Sequence, residues 1–270
     1  ADQILITEGI HQAIDLVTRM LCDNGDLAWV EEPSYWGIRH VLAMNDVRVE
    51  PLTVDANGLC PPETVDDAPR LIFVTPSHQY PLGAVMSLER RQRLLALARQ
   101  QGSWIVEDDY DSELRLSGKP FPTLQSIDVS GKVIYMNTFT KTLASTVRIS
   151  YMVLPEDLAK RFYSELSFYS CTVSNFEQYT LAQFMENGSF EKHINRLRNY
   201  YQNKRDAILK ELKSGSSGKY ITIQEEEAGV HFLMHIQSDC TEAEIVEKAK
   251  AGGVKLDPLS RYYIKNTEKH

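Results

Sequence analysis

Residues 71–111, LIFVTPSHQYPLGAVMSLERRQRLLALARQQGSWIVEDDYD, read as a complete strand–helix–strand unit. Leu71-Ile72-Phe73-Val74-Thr75 is a continuous apolar run stopped by Pro76. Ser87 is a good N-cap for a helix from Leu88 to about Gln101. Its hydroxyl can accept from a first-turn amide, and Glu89 suits the positive end of the helix dipole. Gly102, just past the end, can take the left-handed conformation that closes a helix. Trp104-Ile105-Val106 is the next strand and runs into Glu107-Asp108-Asp109. Both strands are apolar throughout instead of alternating, the pattern of strands covered by helices on both faces of a parallel sheet.

The same alternation extends in both directions. Upstream, Ile4 to Thr7 is a short strand, and Ile10, Ala13, Ile14, Val17 and Leu21 recur at helical spacing. A turn at Asp23 to Asp26 leads to a strand at Leu27 to Val30, a helix at Tyr35 to Ala43 and a strand at Val47 to Val49. Downstream, Val133 to Met136 and Tyr151 to Leu154 are further strands. The reading is an α/β fold with a mainly parallel mixed sheet and helices on both faces. Beyond about residue 156 the texture changes to long helical stretches, including Glu191 to Lys213. A loop follows at 214–218, then a strand at 229–236 and a short helix at Thr241 to Ala251. This pattern predicts a large domain over 1–190 and the start of a smaller C-terminal α+β domain over 191–270.

The 270 residues are 43% hydrophobic and 24% charged, enough for a real core. No apolar run approaches the roughly 20 residues that span a bilayer, and no basic-then-apolar leader opens the sequence. A cytoplasmic protein is the simple reading. The four cysteines are scattered and form no C-x-x-C pair, so neither a disulfide framework nor a zinc site is expected. A formal charge of −8 argues against this stretch as the main nucleic-acid contact. The chain opens on Ala1, enters a strand almost at once and closes on the polar stretch Lys265 to His270, as expected of a piece of a longer protein.

In doubly wound sheets the ligand sits beyond the carboxyl ends of the strands. The polar clusters fall there: Glu8-Gly9, Thr75 to Gln79, Glu107 to Asp111, and Asn137 to Lys141. Lys141 follows a strand in Thr138-Phe139-Thr140-Lys141-Thr142, flanked by hydroxyls, with Arg148 after it. Asp108 ends a buried strand, where an ionised carboxylate needs a cationic partner. Asp108 and Tyr110 share a strand face, and Asp109 points the other way. Gly9-Ile10-His11 opens a helix whose free amides and dipole suit a phosphate.

An amine, a carboxylate for a ring nitrogen, donors for a phosphate and an aromatic face are together what pyridoxal 5'-phosphate requires. Lys141 would take the aldehyde and Asp108 the pyridine nitrogen. Tyr110 would take the ring hydroxyl, Thr138, Thr140 and Arg148 the phosphate, and Tyr35 the ring face. His78 or Gln79 would touch the ring oxygen. Each has a plainer alternative: a solvated lysine, a magnesium-binding acidic cluster, a tight turn at Gly9, a half-buried Tyr35, a structural His78. His231 and His235 lie four apart in a strand-like run and are not read as metal ligands; no metal site is expected.

Taken together, these stretches resemble the aminotransferase-like domain of MocR/GabR-type bacterial transcription regulators. The resemblance rests on Thr7-Glu8-Gly9-Ile10-His11-Gln12-Ala13, Glu32-Pro33-Ser34-Tyr35, Thr75 to Gly83, Glu107-Asp108-Asp109-Tyr110-Asp111-Ser112-Glu113, and Thr138 to Leu143 with Arg148. It covers residues 1 to about 263. It implies the fold type I architecture of pyridoxal-phosphate enzymes, with Lys141 as the Schiff-base lysine. It also implies a head-to-tail homodimer and an amino acid, amine or the cofactor itself as effector. DNA would be bound by a winged-helix domain outside this chain. The sequence departs from the pattern at Thr140, where serine is common, and at Asn137 and Ser150, which are often glycine. Gly37 stands where a side chain able to grip an effector carboxylate is expected. A free-standing aminotransferase, and a phosphate- or metal-binding domain without a Schiff base, are the competing readings.

Overall fold

In the computed structural model, residues 2–116, 121–169, 171–215, 218–224 and 230–265 are described. The chain runs β1 (Ile4–Glu8), α1 (Gly9–Leu21), β2 (Leu27–Glu32), α2 (Trp36–Met44), β3 (Arg48–Asp55), β4 (Gly58–Leu59), β5 (Leu71–Val74) and α3 (Leu88–Gln101). It continues through β6 (Trp104–Asp108), α4 (Leu124–Ile127), β7 (Val133–Thr138) and β8 (Ile149–Val153). Then come α5 (Glu156–Glu165), α6 (Asn175–Glu186), α7 (Ser189–Ser214), β9 (Ile221–Gln224), β10 (Leu233–Ile236) and α8 (Glu242–Ala251).

Eight strands form one sheet in the order β1-β8-β7-β6-β5-β2-β3-β4. The pairs from β3 through β2, β5 and β6 to β7 are all parallel. Successive residues of one strand enter opposite cores: Leu71 and Phe73 pack with Ala13 and Val17 of α1, and Ile72 and Val74 with Leu94 and Ala98 of α3. That is why these strands read as unbroken apolar runs. The α3 ends form as expected. Ser87 Oγ accepts from the Arg90 amide at 3.3 Å, and Gly102 closes the helix at φ 72°.

One strand runs against the rest. β8 is antiparallel to both β7 and β1, with Thr138 opposite Ser150 and Glu8 opposite Ile149. Its beginning therefore lies at the same rim as the ends of β1 and β7, and Arg148 arrives there. β3 is longer than the sequence indicates and includes Pro51. Its outer neighbour is only the two-residue β4, so the missing amide of a proline costs little.

From α6 onward burial is sparse. Helices α6 and α8 bury no residue, and α7 buries Ile194 and Leu209. β9 and β10 pair in a separate antiparallel ribbon. The expected strand from 229 begins at Leu233; Gly229, the middle of the 214–218 loop and residues 266–270 lie outside the described residues. The chain then returns to the large sheet. Ser34 N–H donates to the Tyr262 carbonyl, and Glu32 Oε1 accepts from the amides of Ile264 and Lys265. Among the described residues, no helix is long and apolar enough to cross a membrane.

Candidate functional site

The rim formed by β1, β7 and β8 gathers groups that suit an anion. Gly9 opens α1 at φ +78°, and a Cβ there would lie 2.6 Å from Arg148 Nη2. Arg148 is itself held at φ 54°, a strained conformation for a non-glycine residue, and its Nη2 donates to the Glu8 carbonyl at 3.4 Å. No side chain caps α1, so the first-turn amides of Gly9, Ile10 and His11 have no helical acceptor. Thr138 and Thr140 add hydroxyls 2.8 Å apart. Backbone amides, a guanidinium and two hydroxyls at a helix N-terminus are a phosphate-binding set.

The acidic cluster does not form a single cage. Glu107 accepts from the amides of Leu124 and Gln125 at the start of α4, and its Oε1 lies 3.6 Å from the fully buried Arg91. Asp109 accepts from the Tyr135 hydroxyl at 2.7 Å, and Asp111 lies 2.8 Å from His78 Nδ1. Asp108 Oδ1 and Asp109 Oδ1 are both buried without a hydrogen-bond partner, but Asp109 has the Tyr135 hydroxyl on its other oxygen, and Asp108 has no such bond among the described residues. Burial, with Asp109, Asp111 and Glu31 adding to it, pushes this carboxyl up to about 8. Carboxylates pointing in separate directions speak against the magnesium alternative, and Asp109 is structural.

Tyr110 lies past the end of β6, with its hydroxyl 3.0 Å from His78 Nδ1. Burial, then the charges of Asp111 and Asp108, keep that phenol protonated. Tyr35 stacks on His11 with centroids 5.6 Å apart, and its hydroxyl is 2.9 Å from His11 Nε2. Burial, followed by Arg148 and His40, pulls His11 below its ordinary value, so it is a neutral partner. A Cβ at Gly37 would collide with His11 and the Tyr35 ring, which explains the glycine by packing. Lys141 is exposed in the turn between β7 and β8.

Of the two residues read for the ring oxygen, Gln79 is engaged by the scaffold. Its Nε2 donates to Glu31 and to the carbonyls of Pro33 and Tyr80, and its Oε1 accepts from the Leu82 amide. His78, 5% exposed, keeps an unpartnered Nε2. The sequence reading omits three participants. Glu31 is buried under Thr75 and Gln79, and burial pushes it up to about 7. Tyr80 meets Tyr262 hydroxyl to hydroxyl at 3.1 Å. His231 lies against His78 with centroids 4.6 Å apart, and its Nε2 is 3.1 Å from the Pro81 carbonyl. Burial, then His78, lowers His231 to about 4. Glu31 directly follows the apolar run Leu27 to Val30, a signal that could have found it, whereas nothing local marks His231.

Over residues 1–264 the chain matches aminotransferase class I and II. It belongs to that family. It is 39% identical over 262 residues to the uncharacterized HTH-type transcriptional regulator YdeL of Bacillus subtilis, covering 97% of this chain and 56% of that protein. It is 38% identical over 263 residues to the probable rhizopine catabolism regulatory protein MocR of Rhizobium meliloti, covering 97% and 53%. The chain thus spans about half the length of these relatives. Aromatic-amino-acid aminotransferase 1 of Thermococcus litoralis is 30% identical over 278 residues, covering 98% and 66%.

Among solved structures, kynurenine aminotransferase of Pyrococcus horikoshii, in complex with PMP, superposes with a TM-score of 0.81. Its identity is 29%, with 96% of this chain and 66% of that one covered. LysN of Thermus thermophilus, complexed with N-(5'-phosphopyridoxyl)-L-leucine, gives 0.82 at 25% identity over 97% and 69%. The fold is that of the fold type I aminotransferases.

Proposed function

We propose that this chain is the pyridoxal-phosphate-binding, effector-sensing and dimerising domain of a MocR/GabR-type transcription regulator. The observation that carries the cofactor reading is Asp108: a buried carboxyl without a counter-ion at the carboxyl rim of the sheet. Leaving a carboxylate so is costly unless a cation meets it, and a protonated pyridine nitrogen is such a cation. The residues around it fit the rest of the group. The α1 amides of Gly9, Ile10 and His11, with Arg148, Thr138 and Thr140, hold the phosphate. Tyr110, backed by His78, faces the ring hydroxyl, and Tyr35 covers the ring. Lys141 supplies the amine for the aldehyde. When bound, the cofactor supplies an electron sink for an amino group attached to it.

The choice of sensor rests on the similarity to YdeL and MocR and on the Glu107 to Glu113 and Pro76 to Gln79 stretches. In this reading an amino acid or amine is the effector, two copies associate, and DNA is gripped by a winged-helix domain outside this chain. The protein works in the cytoplasm, and the large and small domains meet near residue 190. The second reading, a free-standing aminotransferase, is favoured by the Thermococcus litoralis relative.

The test is visible absorption of the full-length protein with added pyridoxal phosphate, followed by borohydride reduction and peptide mapping. A reducible yellow adduct on Lys141 is expected. A full-length protein that stays colourless overturns the cofactor reading. Turnover of amino acids with a keto-acid acceptor would favour the enzyme over the sensor.

A further inference from the structure

His78, Asp111 and His231 come from three separate stretches: the loop after β5, the turn after β6 and the segment before β10. Each offers one ligand atom, and the three atoms lie within 4.8 Å of one another. Ligands of one tetrahedral ion, each about 2.1 Å from it, lie about 3.4 Å apart, so side-chain shifts on the order of 1 Å close the set. His78 Nδ1 is engaged by Asp111 Oδ2 at 2.8 Å, which leaves Nε2 as the free nitrogen of this imidazole.

The surroundings are those of a ligating set. His231 donates its Nε2–H to the carbonyl of Pro81 at 3.1 Å, so its lone pair is on Nδ1. A ligating imidazole is normally oriented by such a bond from its other nitrogen to a carbonyl or carboxylate. His78 is 5% exposed and Asp111 3%, and His78 Nε2 has no partner, so the cluster holds a buried polar atom with an unmet bond. Two imidazoles and one carboxyl group match ions that prefer nitrogen ligands with one oxygen.

We propose that His78, Asp111 and His231 form a binding site for a divalent transition-metal ion of the Zn2+ or Co2+ kind, beside the proposed cofactor cleft and sharing His78 with it. The ion takes one imidazole nitrogen from each histidine and one carboxylate oxygen, leaving a coordination position for water or a ligand group. Tyr110, 3.0 Å from His78, is the bridge between this site and the cofactor residues. Because His231 lies in the C-terminal segment and the other two ligands in the large sheet's loops, a bound ion clamps the two parts together.

The test is a Co2+ titration of the cofactor-free full-length protein, read by visible ligand-field absorption and by competition with Zn2+. One ion per chain is expected. His231→Ala and Asp111→Asn should each weaken it by at least about 10-fold, the scale on which even an outer-shell partner matters. His235→Ala, on an exposed residue paired with Gln224, should leave it unchanged. A wild-type protein that binds no more Co2+ than His231→Ala, or equal loss in His235→Ala, overturns the proposal. Because no pyridoxal phosphate is present, this outcome is independent of the Lys141 adduct.

Discussion

Along β5 every residue is buried, whereas Phe168, Phe176 and Tyr179 are 73%, 79% and 77% exposed. The contrast runs through the molecule. Residues 13–162 make two cores, one on each face of the sheet, with Leu166 and Ile264 packed against the first. The stretch from Tyr163 to Met185 carries large apolar side chains that the described chain does not cover. Exposed large apolar side chains gathered in one stretch are candidates for an interaction face. The proposed cofactor residues are mounted on the well-packed part, where strand ends can hold them; the exposed helical part is the proposed face for association.

The largest expected effect sharpens the first half of the contrast. Lys141→Ala should abolish the reducible adduct completely and leave the melting temperature of the cofactor-free protein unchanged, because the side chain is exposed. An adduct that survives on another lysine would place the chemistry elsewhere. Next, Leu94→Ala, emptying a fully buried position between α3 and the sheet, should cost about 2–5 kcal/mol in denaturant unfolding. Phe176→Ser should change monomer stability by less than about 0.5 kcal/mol and yet weaken self-association in sedimentation experiments. Equal costs for the two substitutions would break the comparison.

Asp108→Asn should weaken pyridoxal-phosphate binding by about 10- to 100-fold, the value of a hydrogen bond to a charged group. It should also flatten a pH dependence. In acid Asp108 is protonated whether the chain is folded or unfolded. As pH rises, the unfolded carboxyl ionises near its ordinary value, while the buried one keeps its proton to about 8. The folded state thus loses stability across that window, and the cofactor-free protein should melt lower at about pH 8 than at about pH 5. Glu31 and Glu107, both pushed up to about 7 by burial, act in the same direction, so the Asn variant should show a smaller drop, not none. The smallest effect is Gly9→Ala. A left-handed backbone that costs a Cβ about 1 kcal/mol, and a clash with Arg148, should lower unfolding stability by about 1 kcal/mol and weaken inorganic phosphate binding.

Much of the site was legible because its residues follow strands. Thr138, Lys141, Asp108 and Tyr110 are found at or just beyond the ends of apolar runs, and alternation along a strand separates Asp108 from Asp109, which takes the Tyr135 hydroxyl. The same logic does not reach Gln79. Its sequence neighbours are polar like those of His78, and only the packed loop shows its amide bound to Glu31, Pro33 and Tyr80. Gly37 reads as a missing effector contact in the sequence and as room for Tyr35 and His11 in three dimensions.

The sequence by itself determined the alternation of strands and helices, the α3 caps at Ser87 and Gly102, and the rim at which polar residues gather. These are local consequences of apolar spacing, capping hydroxyls and glycine. Only the tertiary structure decided that β8 runs antiparallel, that Arg148 meets Gly9, and that His231 reaches His78. Arg148 bonds a carbonyl 140 residues away and His231 one 150 residues away. No local propensity encodes such contacts; they exist because both partners are carried to one rim by the packing of the whole sheet.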